Sequence, residues 1–130
     1  MTMKNKTRKT NAERSTDTPE WYWIYGLHDA EILSFSELQL SPDWKSERPV
    51  YNCLEIALDT VGAMTKLKRI TLYNYNLKTE FDINALKKPW WMGDTLTVLP
   101  NNRFSLDVEI EDAKGSKYAF SVTFEDANVE

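Results

Sequence analysis

Three stretches of this chain alternate apolar and polar side chains with a period of two, and that alternation restricts the fold more than any other feature. In YNCLEIALD (51–59), Asn52, Leu54, Ile56 and Leu58 share one side, and Tyr51, Cys53, Glu55, Ala57 and Asp59 share the other. RFSLDVEIED (103–112) sets Phe104, Leu106, Val108 and Ile110 against Ser105, Asp107, Glu109 and Glu111. KYAFSVTFED (117–126) repeats the pattern with Tyr118, Phe120, Val122 and Phe124. An extended chain sends successive side chains to opposite faces, so each stretch reads as an antiparallel strand buried on one side only. The segment EDAKGS joins the last two, and its Gly115 suits a hairpin that needs a residue with positive φ.

Further elements follow from weaker signals. LKRITLYNYN places Ile70 and Leu72 opposite Thr71, Tyr73 and Tyr75. EILSFSELQL changes parity, since Ile32 and Leu38 agree while Leu33 and Phe35 do not, and a bulge near Ser36 reconciles them. TLTVL after Gly93 reads as a short strand ended by PNN. DINALKKP reads as one helical turn capped by Asp82 and stopped before Pro89, and SPDWKSERP as a turn-rich loop. Thr18 as N-cap, Pro19 at the first helical position and Gly26 just past the end predict a helix from Pro19 to Tyr25. Its Trp21, Ile24 and Tyr25 would share one face. The expected fold is α+β: a twisted, mostly antiparallel sheet of five to seven strands with a short N-terminal helix packed on one face. No internal repeat shows in the letters.

A chain of 130 residues is expected to form one domain. Met1 to Glu20 holds five bases (Lys4, Lys6, Arg8, Lys9, Arg14) and three acids, leaving eleven bases against seventeen acids in the remainder. Residues 1–17 therefore read as a disordered basic leader and 18–130 as the folded unit. The net charge of −4 argues against a general affinity for nucleic acid or for anionic membranes. Cys53 is the only cysteine, which excludes an intrachain disulfide and a cysteine-based zinc site. With neither an export signal nor a long apolar stretch, the expected location is the cytoplasm.

The single histidine lies in WYWIYGLHDAEIL, where His28 precedes Asp29. One imidazole cannot supply a multi-histidine metal shell, and no G-x-S-x-G elbow accompanies it, so His28 reads as structural. No catalytic residue, metal ligand or cofactor site is assigned. The outward register of Glu55, Asp59, Asp107, Glu109 and Glu111 predicts an acidic sheet face studded with Tyr73 and Tyr75, with Arg69 and Lys117 as the relieving bases. Acids around aromatic anchors suit a basic protein surface. In KKPWWMGD, Trp90 and Trp91 cannot both face the core of one strand. The pair reads as a lid over the core edge or as an exposed binding element.

GLHDAEIL, the alternating LEIALD and ITLYNYN, the WW pair and the closing FSLDVEI and YAFSVTF are similar to a group of small bacterial proteins over Trp21 to Phe124. The pattern resembles the immunity protein 50 family, or a related family of unknown function. The resemblance implies a cytoplasmic non-enzyme that binds and blocks one toxin, here through a basic toxin domain, and it transfers no defined site residues. Two other classes stay open: a small hydrolase or lyase using His28 with Asp29, and a scaffold or homo-oligomer subunit built on exposed strand edges.

Overall fold

The alternating segments are strands in the structure, a computed structural model that describes residues 19, 21–23, 26–40 and 50–130. In chain order these are β1 (Ala30–Leu40), β2 (Tyr51–Asp59), β3 (Arg69–Tyr73), β4 (Asn76–Lys78), β5 (Trp90–Leu99), β6 (Arg103–Glu111), β7 (Lys117–Phe124) and β8 (Asp126–Val129). They form one eight-stranded sheet in the order β4-β7-β6-β5-β1-β2-β3-β8, and every pairing is antiparallel.

The fold is all-β, which corrects the expected α+β class. Among the described residues, the helical pieces are two 3₁₀ turns, Ile83–Ala85 and Pro100–Asn102. The first starts where the sequence placed it, with Asp82 accepting a hydrogen bond from the Asn84 N–H at 3.0 Å. The expected helix from Pro19 to Tyr25 is absent: Trp21 to Trp23 form a turn and irregular chain, while Thr18, Glu20, Ile24 and Tyr25 lie outside the described residues. The reason is how these rings are used. Trp21 packs on Phe104 and Phe124, Trp23 meets Trp91 edge-on, and Tyr22 and Trp23 both bond Asp94. Three consecutive side chains all docking on the sheet cannot share one face of a helix, whose successive side chains diverge by about 100°. The leader (1–17) and SPDWKSERP (41–49) also lie outside the described residues. No helix among the described residues is long and apolar enough to cross a membrane.

The sheet closes on itself. Only Asn74 and Tyr75 separate β3 from β4, and only Glu125 separates β7 from β8. Tyr73 pairs with Asp126 and, three residues on, Asn76 pairs with Thr123, so the register passes the break unshifted. Counted as bent strands, β3–β4 and β7–β8 are neighbours along their whole length, and the layer becomes a six-membered barrel. Its inner face buries Leu54, Ile56, Leu58, Ile70, Leu72, Leu106, Val108, Ile110, Val122 and Phe124, each at most 4% exposed. The sheet thus covers its own apolar face, the role the sequence assigned to a helix.

The barrel is built from two matching halves. In the first, Ile32 pairs with Leu58, the register shifts at Leu33, and Phe35, Glu37 and Gln39 then face Ile56, Leu54 and Asn52. In the second, Trp91 pairs with Ile110, the register shifts at Met92, and Asp94, Leu96 and Val98 face Val108, Leu106 and Phe104. The residues before β1 and β5 match as well, with left-handed Asp29 (φ 74°) and Lys88 (φ 49°) in equivalent places. The pair Glu31 and Trp90 sits where the halves meet. The expected bulge near Ser36 is therefore at Leu33. Only LEIALD and LDVEIE carry the correspondence in letters, so the repeat is structural rather than textual.

Candidate functional site

β1 and β5 pair only through Ala30–Trp91 and Glu31–Trp90, and this short seam arranges the outer surface. Directly opposed residues on an antiparallel ladder share a face, with Cβ atoms about 5 Å apart. Asp59 opposes Glu31, Glu31 opposes Trp90, Trp90 opposes Glu111 and Glu111 opposes Lys117. Five strands thus contribute one lateral row, Asp59–Glu31–Trp90–Glu111–Lys117, with a half-buried indole between two carboxylates. Glu109 lies outward one step along β6, between Gly93 and Ala119, neighbours too small to cover it. His28 and Asp29 stand on the turn entering β1, at 56% and 57% exposure, with His28 Nδ1 3.2 Å from Asp29 Oδ2. The Asp29 N–H donates to Trp91 O at 2.8 Å, which fixes this turn beside the row.

The ring of His28, which reads from the sequence as structural, meets the neighbouring carboxylate on an open turn. The left-handed backbone at Asp29 lets adjacent side chains converge, which an extended chain would not.

Of the residues singled out in the sequence, the structure brings together Asp59, Trp90, Glu109 and Glu111. Trp91 goes to the core at 0% exposure, where its Nε1 donates to Asp94 Oδ2 at 2.7 Å. The single outward Trp90 thus replaces the expected double-tryptophan element. Glu55 and Asp107 leave the row in opposite directions, because β2 and β6 run antiparallel to each other across the seam. Arg69 holds Glu55 at 3.4 Å and Glu130 at 2.9 Å, and Ser121 donates to Asp107. Tyr73 points outward but is 9% exposed. Tyr75 is not on the outer face: left-handed Asn74 (φ 56°) shifts the parity, so Tyr75 turns to the barrel mouth and donates to Glu37. The expected continuous acidic face with two tyrosine anchors is therefore a narrower row with one tryptophan. Glu31 was missed, since nothing within β1 alone shows that Trp90 is its neighbour.

Bases bound this surface on one side. Lys117 ends the row, and exposed Lys87, Lys88 and Lys114 occupy two turns tied together by the Ala113 N–H to Lys87 O bond at 2.9 Å. No group of three or more His, Cys, Asp or Glu side chains among the described residues could hold a metal ion. Searches against protein-family models, curated proteins and solved structures find no match to this chain.

Proposed function

We propose that the protein is a non-enzymatic binding module that docks a basic protein surface on the row centred at Trp90, acting as an immunity protein toward a bacterial toxin domain. The observation that carries this is the placement of a half-buried tryptophan between Glu31 and Glu111, with Asp59, Asp29 and Glu109 around it. An aromatic anchor supplies the desolvated contact on which interface energy concentrates. Surrounding carboxylates steer a cationic partner and fix its orientation, contributing more to association rate and specificity than to affinity. The closed barrel gives the anchor a rigid base, so little conformational freedom is lost on docking. His28 and Asp29 stand open to water on a turn rather than in a walled cleft, and they read as part of this rim.

The test is titration with a candidate toxin domain, sought among the genes beside this one, followed by calorimetry and stopped-flow fluorescence at low and high salt. A one-to-one complex is expected whose association slows as salt rises. Trp90→Ala should weaken it by about a hundredfold, in the range of interface hot spots. Glu31→Lys with Glu111→Lys should mainly slow association. Absence of a complex, or an unchanged affinity in Trp90→Ala, would sink the proposal.

A further inference from the structure

The two halves of the barrel end differently, and the difference marks a second site. At the end formed by β5 and β6, the inward positions are Leu96, Val98 and Phe104, and Trp21 packs over Phe104 and Phe124 with ring centres 5.5 and 5.8 Å away. The matching positions at the opposite end are Glu37, Gln39 and Asn52. Equivalent positions at the two ends of the barrel thus hold Leu96, Val98 and Phe104 at one and a carboxylate and two amides at the other, and those three polar side chains are exposed at the mouth. Groups that reach water there carry no burial cost, and their hydrogen-bonding atoms stay accessible to a ligand. Here Tyr75 donates to Glu37, and Gln39 Nε2 donates to Asn52 Oδ1 at 3.2 Å. Two cavities open on either side of the Glu37–Tyr75 pair. One, of about 310 Å³, is lined by Glu37, Gln39, Asn52 and Tyr75 among others. The other, of about 220 Å³, has Leu54 and Leu77 in its lining, with the rings of Phe35, Tyr75 and Phe81 and the carboxylate of Asp82.

We propose that this polar mouth binds a guanidinium group in the smaller cavity, with Glu37 as its charge partner and the rings of Phe35, Tyr75 and Phe81 as its walls, while the Gln39 and Asn52 amides line the adjoining cavity across the Glu37–Tyr75 pair. A guanidinium is flat, weakly hydrated and rich in donors, so it satisfies carboxylate and amide oxygens while stacking on rings, which a compact ammonium does less well. Each cavity has room for the group and part of its aliphatic stem. The site is independent of the Trp90 row: its residues come from inward positions, and those of the row face outward.

The full chain is titrated with agmatine, with N-acetyl-arginine amide and with an arginine-containing basic peptide, using the neutral N-acetyl-citrulline amide as control, by calorimetry and amide chemical shifts. Saturable binding of a guanidinium compound with Kd at or below about 1 mM is expected, and at least about tenfold weaker binding of the citrulline amide. Glu37→Gln should lose at least about tenfold in affinity. Glu37→Leu, which restores the residue found in the other half, should abolish binding while its melting temperature holds or rises. That pairing separates loss of a site from loss of the fold. Agmatine binding more tightly than the peptide assigns a free small molecule, and the reverse assigns an arginine of a protein partner; either result supports the site. Trp90→Ala should leave these affinities unchanged, so failure of the row and failure of the mouth are distinguishable. No saturable guanidinium binding, or wild-type affinity in both Glu37 variants, would overturn the proposal.

Discussion

Tyr75 holds its phenolic proton more tightly than an unfolded tyrosine would, because burial, and then the hydrogen bond and charge of Glu37, push its pKa from 10.0 up to about 12. The folded state therefore binds the proton more tightly than the unfolded state. The resulting stabilisation is whole below pH 10 and drains away as the pH rises through about 12. Urea midpoints measured from pH 9 to pH 12 should fall more steeply for the wild type than for Tyr75→Phe, which has no proton to lose. Parallel curves would place the ring in water. Asp126 follows the same sign at lower pH: burial raises its pKa above 3.8, so it favours the fold only while protonated and costs stability once ionised. Asp126→Asn should raise the urea midpoint at pH 7, since the amide oxygen can still accept the Ala127 N–H (2.8 Å). The gain should vanish near pH 3, where both side chains are neutral.

Between residue and molecule, two segments outside the sheet, the Ile83–Ala85 turn and the Trp21–Trp23 stretch, do the work of strands. Past the seam, β1 has no ladder partner on its β5 side among the described residues, and Asn84 takes the place of one: its Oδ1 accepts from the Phe35 N–H at 3.0 Å and its Nδ2 donates to Phe35 O at 3.3 Å. On the matching side of β5, the Trp21–Trp23 segment docks through Asp94, which receives Tyr22 Oη, Trp23 Nε1 and Trp91 Nε1. Asn84→Ala should cost about 1–2 kcal/mol by leaving both backbone groups without that partner. Asp94→Ala strands three aromatic donors at once and should cost about 2 kcal/mol or more, with a shift in tryptophan fluorescence that Asn84→Ala does not produce. These segments explain what was legible in the sequence and what was not. Alternation depends on which face a side chain takes within its own strand, so β2, β6 and β7 could be read directly. Asp94, Asn84 and Glu31 act through neighbours 49 to 71 positions away, and local pattern carries no trace of those. The Pro19–Tyr25 stretch reads as helical on its Thr18, Pro19 and Gly26 end signals and the spacing of Trp21, Ile24 and Tyr25, and neither registers that three consecutive rings dock on separate partners. Leu33 and Asn74 each reverse the parity by one residue, which sets Glu37 at the mouth and takes Tyr75 there from the expected wet side.

Closure governs the molecule as a whole. Each half contributes three strands (β1, β2 and β3–β4 against β5, β6 and β7–β8), and the halves join at two places: the short β1–β5 seam and the longer run of β3–β4 along β7–β8. Neither half can bury its inner face alone. Leu54, Ile56, Ile70 and Leu72 from one and Leu106, Val108, Val122 and Phe124 from the other share a single core. A three-stranded meander with one bare apolar face is marginal in water, and its outer strands offer open edges to any other chain. Rolling two of them together buries the shared face and pairs β3–β4 with β7–β8, while β1 and β5 beyond the Glu31–Trp90 pair keep edges that Asn84 and the Trp21–Trp23 segment cover in part. Two predictions follow from the same geometry. The intact chain should unfold in one transition, with far-ultraviolet circular dichroism and tryptophan fluorescence coinciding, because no sub-core exists to survive alone. Chain segments 1–78 and 79–130, made separately, should each lack cooperative unfolding and gain it when mixed in equal amounts. The junction lies at the exposed Lys78–Thr79 step just after β4, so cutting there breaks no ladder. If the second segment alone showed a sharp transition as a monomer, its strands would hold a core of their own, and the shared interior would not be what keeps the barrel closed.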